Sequence, residues 1–266
     1  MKTDLKTTIA LLMIFIVTVI GTLLFAIYVL STISTLKVTL ISGPTNSLFY
    51  LAYLIAALLV GTAMVLFAIK RKMFRTMRVV FVIITGLILF SFFSFFLSPI
   101  LVIAATVIVE IYYYKYAGKI GRDVVNILIF ISVGAIIALD LGFVPSVILT
   151  AVIAVYDYIA VFRTKHMITL ANGIKDMAYF SMITLAAVKK KARIMIGGGD
   201  LVFPAVLVTA TFFFSPIAGA YVFAGAVTGL AVLLVIGRRE RAYPAMSFIG
   251  PAELIALGLF FLVSLV

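Results

Sequence analysis

Residues 144–163 read VPSVILTAVIAVYDYIAVFR, twenty residues in which Asp157 is the only charge ahead of the closing Arg163. A hydrocarbon core about 30 Å thick is crossed by about 20 residues of α-helix, so this stretch is long enough to span a membrane. An ionisable side chain inside hydrocarbon costs about 3 kcal/mol or more and is a functional candidate by default. A membrane-length helix with a carboxylate in it therefore sets both the fold class and the direction of the search for chemistry.

Apolar runs of similar kind recur on both sides of it, at 9–30, 48–69, 79–97, 99–114, 124–140, 200–214, 216–236 and 244–266, which with 144–163 makes nine. Of 266 residues 65% are hydrophobic, about 173, and only 11% are charged. Soluble domains carry about 45–50% apolar residues, so a soluble enzyme is excluded. Nine membrane helices would take about 180 residues and leave roughly 86 for loops and ends. The expected fold is an all-α polytopic membrane protein of nine transmembrane helices, a single domain over 1–266 with one long loop at 164–199. Lys2 and Lys6 precede the first run as in a signal peptide, but that run, about 22 residues, exceeds the usual ~7–15 residue core of such peptides, so it reads as a retained span. The absence of cysteine excludes disulfides, thiolate catalysis and Cys-ligated metals, and the single histidine excludes a site of several histidines.

The net charge of +12 would suggest nucleic acid in a soluble protein; here its placement records topology. Short loops rich in Lys and Arg stay in the cytoplasm. Lys2 and Lys6 precede span 1; Lys70, Arg71, Lys72, Arg75 and Arg78 fill the second loop; Lys115, Lys119 and Arg122 fill the fourth. Arg163, Lys165, Lys175, Lys189, Lys190, Lys191 and Arg193 lie in or beside the sixth, and Arg238, Arg239 and Arg241 make up the eighth. Twenty of 21 basic residues thus share one side, with Lys37 alone opposite. The N-terminus is expected in the cytoplasm and the C-terminus outside. The long sixth loop carries Met167, Ile168, Leu170, Ile174, Met177, Phe180, Met182, Ile183 and Leu185 at helical spacing among basic residues, the pattern of an interfacial helix. His166 in that loop reads as solvated or interfacial.

Five acids need weighing. Glu110 precedes Tyr112, Tyr113, Tyr114 and Lys115, where an aromatic belt and a cation account for it. Asp140 falls in the short outer turn Asp140–Pro145, where exposure accounts for it. Asp157 lies six residues before Arg163, ~9 Å inside the cytoplasmic boundary, with no cation within a turn. Asp200 opens span 7 behind Gly197, Gly198 and Gly199, so it enters from the same side to similar depth. Spans 6 and 7 run in opposite directions; packed side by side they bring the two carboxylates together. Glu253, inside span 9, has no evident partner.

A close pair of carboxylates in a low dielectric holds one proton between them, so one acid can act as base toward water while the other polarises a carbonyl. This is the chemistry of aspartic proteases, and it needs no cofactor. Three successive glycines are poor helix formers, and broken backbone at membrane depth is tolerated where it lines a cavity or is buried in protein. A Gly-rich turn also lets another backbone approach, as strand addition requires. A phosphate cradle is excluded, since neither GxGxxG nor GxxxxGK[ST] is present.

Tyr156-Asp157, then Gly197-Gly198-Gly199-Asp200, then Pro244-Ala245-Met246 resemble, in order, the YD, GxGD and PAL motifs of the presenilin and signal peptide peptidase family of intramembrane aspartyl proteases. The resemblance covers the whole chain, and the three motifs fall on spans 6, 7 and 9. It implies catalytic Asp157 and Asp200, with Tyr156, Gly197, Gly198 and Gly199 shaping the site and Pro244, Ala245 and Met246 facing substrate. Met246 stands where the family usually has leucine, a volume-conserving exchange. A second candidate for the third motif, Pro251-Ala252-Glu253-Leu254, begins ten residues past Arg241 and ~15 Å along a helix, deeper than the acids; Pro244 fits better. A cytoplasmic N-terminus is presenilin-like, signal peptide peptidases being similar but inverted. That orientation implies substrates whose N-termini lie outside, such as stubs left after ectodomain removal. The sixth loop is short and nothing in it marks a point of self-cleavage. The absence of any N-x-[ST] sequon fits a non-glycosylated prokaryotic protein.

The partners expected are transmembrane-helix substrates and the lipid bilayer, with a homo-oligomer allowed and nucleic acid not expected; no metal and no cofactor are called for. Gly219, Ala220, Gly225 and Ala226 in span 8 suit close helix contacts. Two rival functions use the same acids. Prepilin and preflagellin peptidases are also GxGD-type membrane proteases, but they lack the YD and PAL pairing. A proton or cation pathway would place the acids beside a broken helix, but such transporters commonly show inverted repeats, and none is visible here.

Overall fold

The computed structural model describes residues 5–35, 44–163, 182–186, 193–236 and 243–265. Among them are nine α-helices: α1 (Leu5–Thr35), α2 (Pro44–Lys70), α3 (Phe74–Ser94), α4 (Pro99–Ile111), α5 (Lys119–Leu141), α6 (Phe143–Tyr158), α7 (Gly199–Phe214), α8 (Pro216–Ile236) and α9 (Met246–Ser264). Each expected apolar run falls on one helix. Among the described residues eight helices are long and apolar enough to cross a membrane, α4 and α6 being counted with the π-helical turns that continue them, as Pro99–Tyr116 and Phe143–Val161; α7, with 16 residues, is apolar but shorter. The chain is a polytopic, helical membrane protein.

Helix ends follow local chemistry. Pro99 opens α4 at a position whose N–H has no intrahelical partner in any case. Helix α4 runs on into one π-helical turn, Tyr112–Tyr116, tied to α5 by the Tyr113 hydroxyl donating to Asn126 Oδ1 at 2.9 Å. Helices α5 and α6 meet at Gly142, with φ +68° and ψ −167°, backbone that side chains other than glycine pay about 1–3 kcal/mol to adopt. The corner is held by the Gly142 N–H on the Ala138 carbonyl and by the Ser146 hydroxyl on the Gly142 carbonyl. Gly142→Ala is therefore expected to cost about 1–3 kcal/mol, read as a lower melting temperature of the purified protein; an unchanged melt would contradict the strained corner.

Helix α7 is the centre of the bundle. Leu201, Val202, Pro204, Ala205, Val206, Leu207 and Val208 are all buried, as expected of a helix that is apolar all round. It packs on α1, α5, α6, α8 and α9. Helices α8 and α9 pack most closely: a Cβ on Gly225 would stand 2.6 Å from the Ala252 carbonyl oxygen, and one on Gly229 would stand 2.8 Å from Ile249 Cα. Gly219 meets Phe212 of α7 and Ala226 is buried, whereas Ala220 faces outward.

The sixth loop differs from expectation where it is described. Residues 164–181, including His166 and most of the expected interfacial helix, lie outside the described residues. Its last part is a strand, β1 (Met182–Ala186), paired antiparallel with β2 (Arg193–Gly197) in the register Met182 to Gly197 and Ile183 to Ile196. Ile183 is buried against the bundle. Helical periodicity upstream hid a pairing whose partner lies beyond the intervening residues.

Candidate active site

Asp157 sits in the last turn of α6, just ahead of a π-helical turn at Ile159–Arg163, and is buried. The Met246 N–H donates to Asp157 Oδ2 at 2.9 Å, and the Ser247 N–H also serves this carboxylate. These donors are available for a simple reason. Helix α9 begins at Met246 behind buried Pro244 and the flanking Ala245, and the first N–H groups of a helix have no partner within it. The Ser247 hydroxyl donates to the Ala154 carbonyl at 3.0 Å. Gly250 faces Thr150 and Ala154, where a Cβ would stand 3.0 Å from Ala154 Cβ. Helix α9 is thus seated on α6 along a strip that begins at the acid.

Asp200 reaches the same place by a different route. Strand β2 ends at Gly197, Gly198 makes a bend, and α7 starts at Gly199, so the backbone break expected from the three glycines is a strand-to-helix turn. Asp200 lies in the first turn of α7, and the Gly197 N–H donates to its carboxylate. A Cβ at Gly197 would stand 3.4 Å from Asp200 Oδ2, and one at Gly199 3.3 Å from the Phe203 ring. Helix α6 packs on α7, and the two acids are close enough for the charge of Asp157 to act on Asp200. Both carboxylates therefore lie at helix N-termini, where exposed N–H groups and the helix dipole favour negative charge. Pro204, one turn beyond Asp200 inside α7, has no N–H to offer the Asp200 carbonyl.

The remaining motif residues gather around these two acids. Tyr156 is half-buried next to Asp157; Pro244 and Met246 are buried and Ala245 half-buried at the head of α9. Pro251 is exposed, and it is the Pro244 segment that touches Asp157. Glu110, expected to answer to a nearby cation, instead accepts from the Thr85 hydroxyl at 3.1 Å. Asp140, expected exposed in a turn, is in the last turn of α5, half-buried, and accepts from the Tyr50 hydroxyl. Among the described residues no three His, Asp or Glu side chains cluster as a metal site. Sequence reasoning missed the two α9 amides and Pro204; the proline at 244 was the available signal for a helix start.

A family model described as signal-peptide peptidase, presenilin aspartyl protease matches residues 12–266. The chain belongs to this family. Its members are aspartyl proteases, and this chain is one that works within the membrane. It is similar to a presenilin family intramembrane aspartate protease solved in a C222 crystal form, with 22% identity over 94% of this chain and 95% of that one, at a TM-score of 0.63. The same description applies to a P2 crystal form, with 23% identity over 92% and 96% and a TM-score of 0.60. At those identities the likeness shows the fold. Comparison with curated protein sequences gives no match.

Glu253 remains outside this constellation. It lies seven residues beyond Met246 on α9, ~10.5 Å along the helix and on nearly the same face. It is fully buried, and among the described residues neither carboxyl oxygen has a hydrogen-bond partner. A buried polar group without a partner costs about 1–3 kcal/mol. Glu253→Met, which keeps the volume, is expected to stabilise the protein by about that amount and to leave cleavage intact. A lower melting temperature would mean that the acid has a stabilising partner in the membrane.

Proposed function

We propose that Asp157 and Asp200 are the water-activating pair of this protease. The observation that carries the reading is the Met246 N–H on Asp157 Oδ2. It joins the third motif to the first, at the place where the charge of Asp157 reaches the second. The pair shares one proton. The ionised acid removes a proton from water as its oxygen attacks the scissile carbonyl carbon, and the neutral acid donates to the carbonyl oxygen. Collapse of the tetrahedral intermediate breaks the C–N bond: the amine leaves with a proton from the acid that served as base, the other acid takes back a hydroxyl proton of the intermediate as the carboxyl product forms, and the pair returns to its starting state. The N-terminal amides of α7 and α9 supply fixed dipoles around the developing charge. Tyr156, Gly197, Gly198 and Gly199 shape the floor of the site, and Pro244, Ala245 and Met246 face the substrate.

The chain is read as one nine-span domain with a cytoplasmic N-terminus. Helix α7 has 16 residues and is ~24 Å long, ~6 Å short of a hydrocarbon core. With its outer end at the far surface, Asp200 lies that far inside the near one, consistent with α7 as span 7 starting at the acid and bringing the spans to nine. The β1–β2 ribbon leads straight into this turn, and each strand has one edge not used by the other. A substrate span unwound there can add as a strand beside Asp200, exposing its scissile bond. Substrates are single spans with their N-termini outside.

Orientation is testable because the chain has no cysteine. Single cysteines placed before α1 and after α9 are expected to react with membrane-impermeant reagents from the cytoplasmic and outer sides respectively. In proteoliposomes of fixed protein orientation, spans with N-termini outside should be cut and inverted spans left intact. Preferential cutting of inverted spans would overturn the topology.

A further inference from the structure

The site occupies α6, α7 and α9, but among the described residues the most strongly charged surface is elsewhere. Lys70, Arg71, Lys72, Arg75 and Arg78 crowd the corner between α2 and α3, and all five are exposed; Lys115 and Lys119, at the corner between α4 and α5, are exposed too, and Arg122 is half-buried. The two corners lie side by side. Thr85 of α3 meets Glu110 of α4 and Tyr114 of the π-helical turn that follows it, each at 3.1 Å. Arg78 is seven residues from Thr85 in the same direction along the bundle that Lys115 and Lys119 are from Tyr114. Helix α3 also packs on α5, the helix that Lys119 opens. Glu110 is turned inward to Thr85, leaving Asp123 as the described acid at this face.

The first corner is a built turn. Lys72 is the only non-glycine with positive φ among the described residues, at 54°. It is closed by the Arg71 N–H on the Phe67 carbonyl, the Lys72 N–H on Ile69 and the Met73 N–H on Ala68, at 2.9, 3.0 and 2.9 Å. That left-handed ending fixes where three successive basic side chains emerge. The Arg71 guanidinium sits over the Phe67 ring at 5.4 Å. Exposed apolar side chains flank the cations: Met73 and Phe74 on one corner, Tyr116 and Ile120 on the other, the last two 74% and 79% exposed. A soluble acidic partner has no use for such a border. A lipid leaflet does, since apolar and aromatic groups enter the acyl boundary while cations stay level with the phosphates.

We propose that the α2–α3 and α4–α5 corners together form a binding platform for anionic phospholipid headgroups, separate from the proteolytic site. Each Lys or Arg at an anionic surface contributes about 1 kcal/mol, so removing three costs up to about a hundredfold in binding before salt screening.

The test uses the full-length protein in nanodiscs of phosphatidylcholine with a minority of phosphatidylglycerol. The readout is retained phosphatidylglycerol by native mass spectrometry. Lys70→Gln/Lys72→Gln/Arg75→Gln is compared with Arg238→Gln/Arg239→Gln/Arg241→Gln, which removes as many charges from the eighth loop. The corner variant is expected to lose at least about tenfold in phosphatidylglycerol binding while melting like wild type in pure phosphatidylcholine, and the loop variant to lose less than about twofold. Equal losses would show only the general attraction of basic loops to an acidic leaflet, and no loss in the corner variant would leave the platform without a role; either overturns the proposal. Competition by soluble glycerol phosphate as effective as by the lipid would also overturn it, in favour of a free-phosphate site.

Discussion

Asp200→Asn is expected to abolish cleavage while leaving the fold intact, and Asp157→Asn to do the same. The amide is the same size as the carboxylate, and its oxygen still accepts the Gly197 N–H at position 200 or the Met246 N–H at position 157. What it loses is the ability to take up and return a proton. General acid–base catalysis by one positioned group contributes about 10²–10⁴-fold in rate. In the proposed mechanism the two acids exchange roles within one turnover, so losing either is expected to stop both half-reactions. A fall in kcat/KM of at least about 10³-fold is expected, with a double variant little worse than either single one, as for residues acting as a unit. The measurement is initial rate on a single-span substrate together with thermal unfolding of each variant. A variant that melts like wild type yet keeps a tenth of its activity would remove that acid from the mechanism.

The second large effect comes from helix packing rather than from acid–base chemistry. Gly229→Leu is expected to destabilise the protein by about 3 kcal/mol or more and to lower cleavage with it. A Cβ at position 229 would stand 2.8 Å from Ile249 Cα and 2.9 Å from the Phe248 carbonyl oxygen. These are backbone atoms that move only if α8 and α9 separate. Helix α9 also carries the Met246 N–H that meets Asp157, so a shift of its axis is felt at the dyad. Gly258→Ala is the control: nothing lies within 4 Å of the position, and alanine is the better helix former by about 1 kcal/mol. Thermal melts and cleavage rates of the pair separate contact from composition. If Gly229→Leu melts with wild type, the close packing of α8 on α9 is not what seats the third motif.

Much of this was readable in the chain because the bilayer restricts the alternatives. With no water to serve the backbone, an apolar run of about 20 residues has helix as its only unbroken solution. That is why the run at 144–163 and its eight counterparts each fall on a helix. The three short motifs were legible as chemistry because carboxylates are scarce in apolar sequence. What joins them was not. The amides of Met246 and Ser247 belong to every residue type except proline, so no side chain advertises them. The strand at Met182–Ala186 depends on pairing with Arg193–Gly197, a contact that helical periodicity upstream concealed. Asp140 was read from its turn-like neighbours Gly142 and Pro145, but its actual partner, Tyr50, comes from α2, ninety residues away in sequence. Gly229, absent from the small residues singled out in span 8, proved as tightly packed as Gly225.

The central claim is that the Asp157–Asp200 pair hydrolyses peptide bonds inside the membrane. It is tested most directly by product masses from a labelled single-span substrate, N-terminus outside, incubated in liposomes with the purified protein while ion flux is followed. The account predicts two fragments whose masses sum to substrate plus one water, cut within the hydrophobic span, and neither fragment with Asp157→Ala or Asp200→Ala. Intact substrate throughout, with proton or cation flux that either substitution changes, would contradict it.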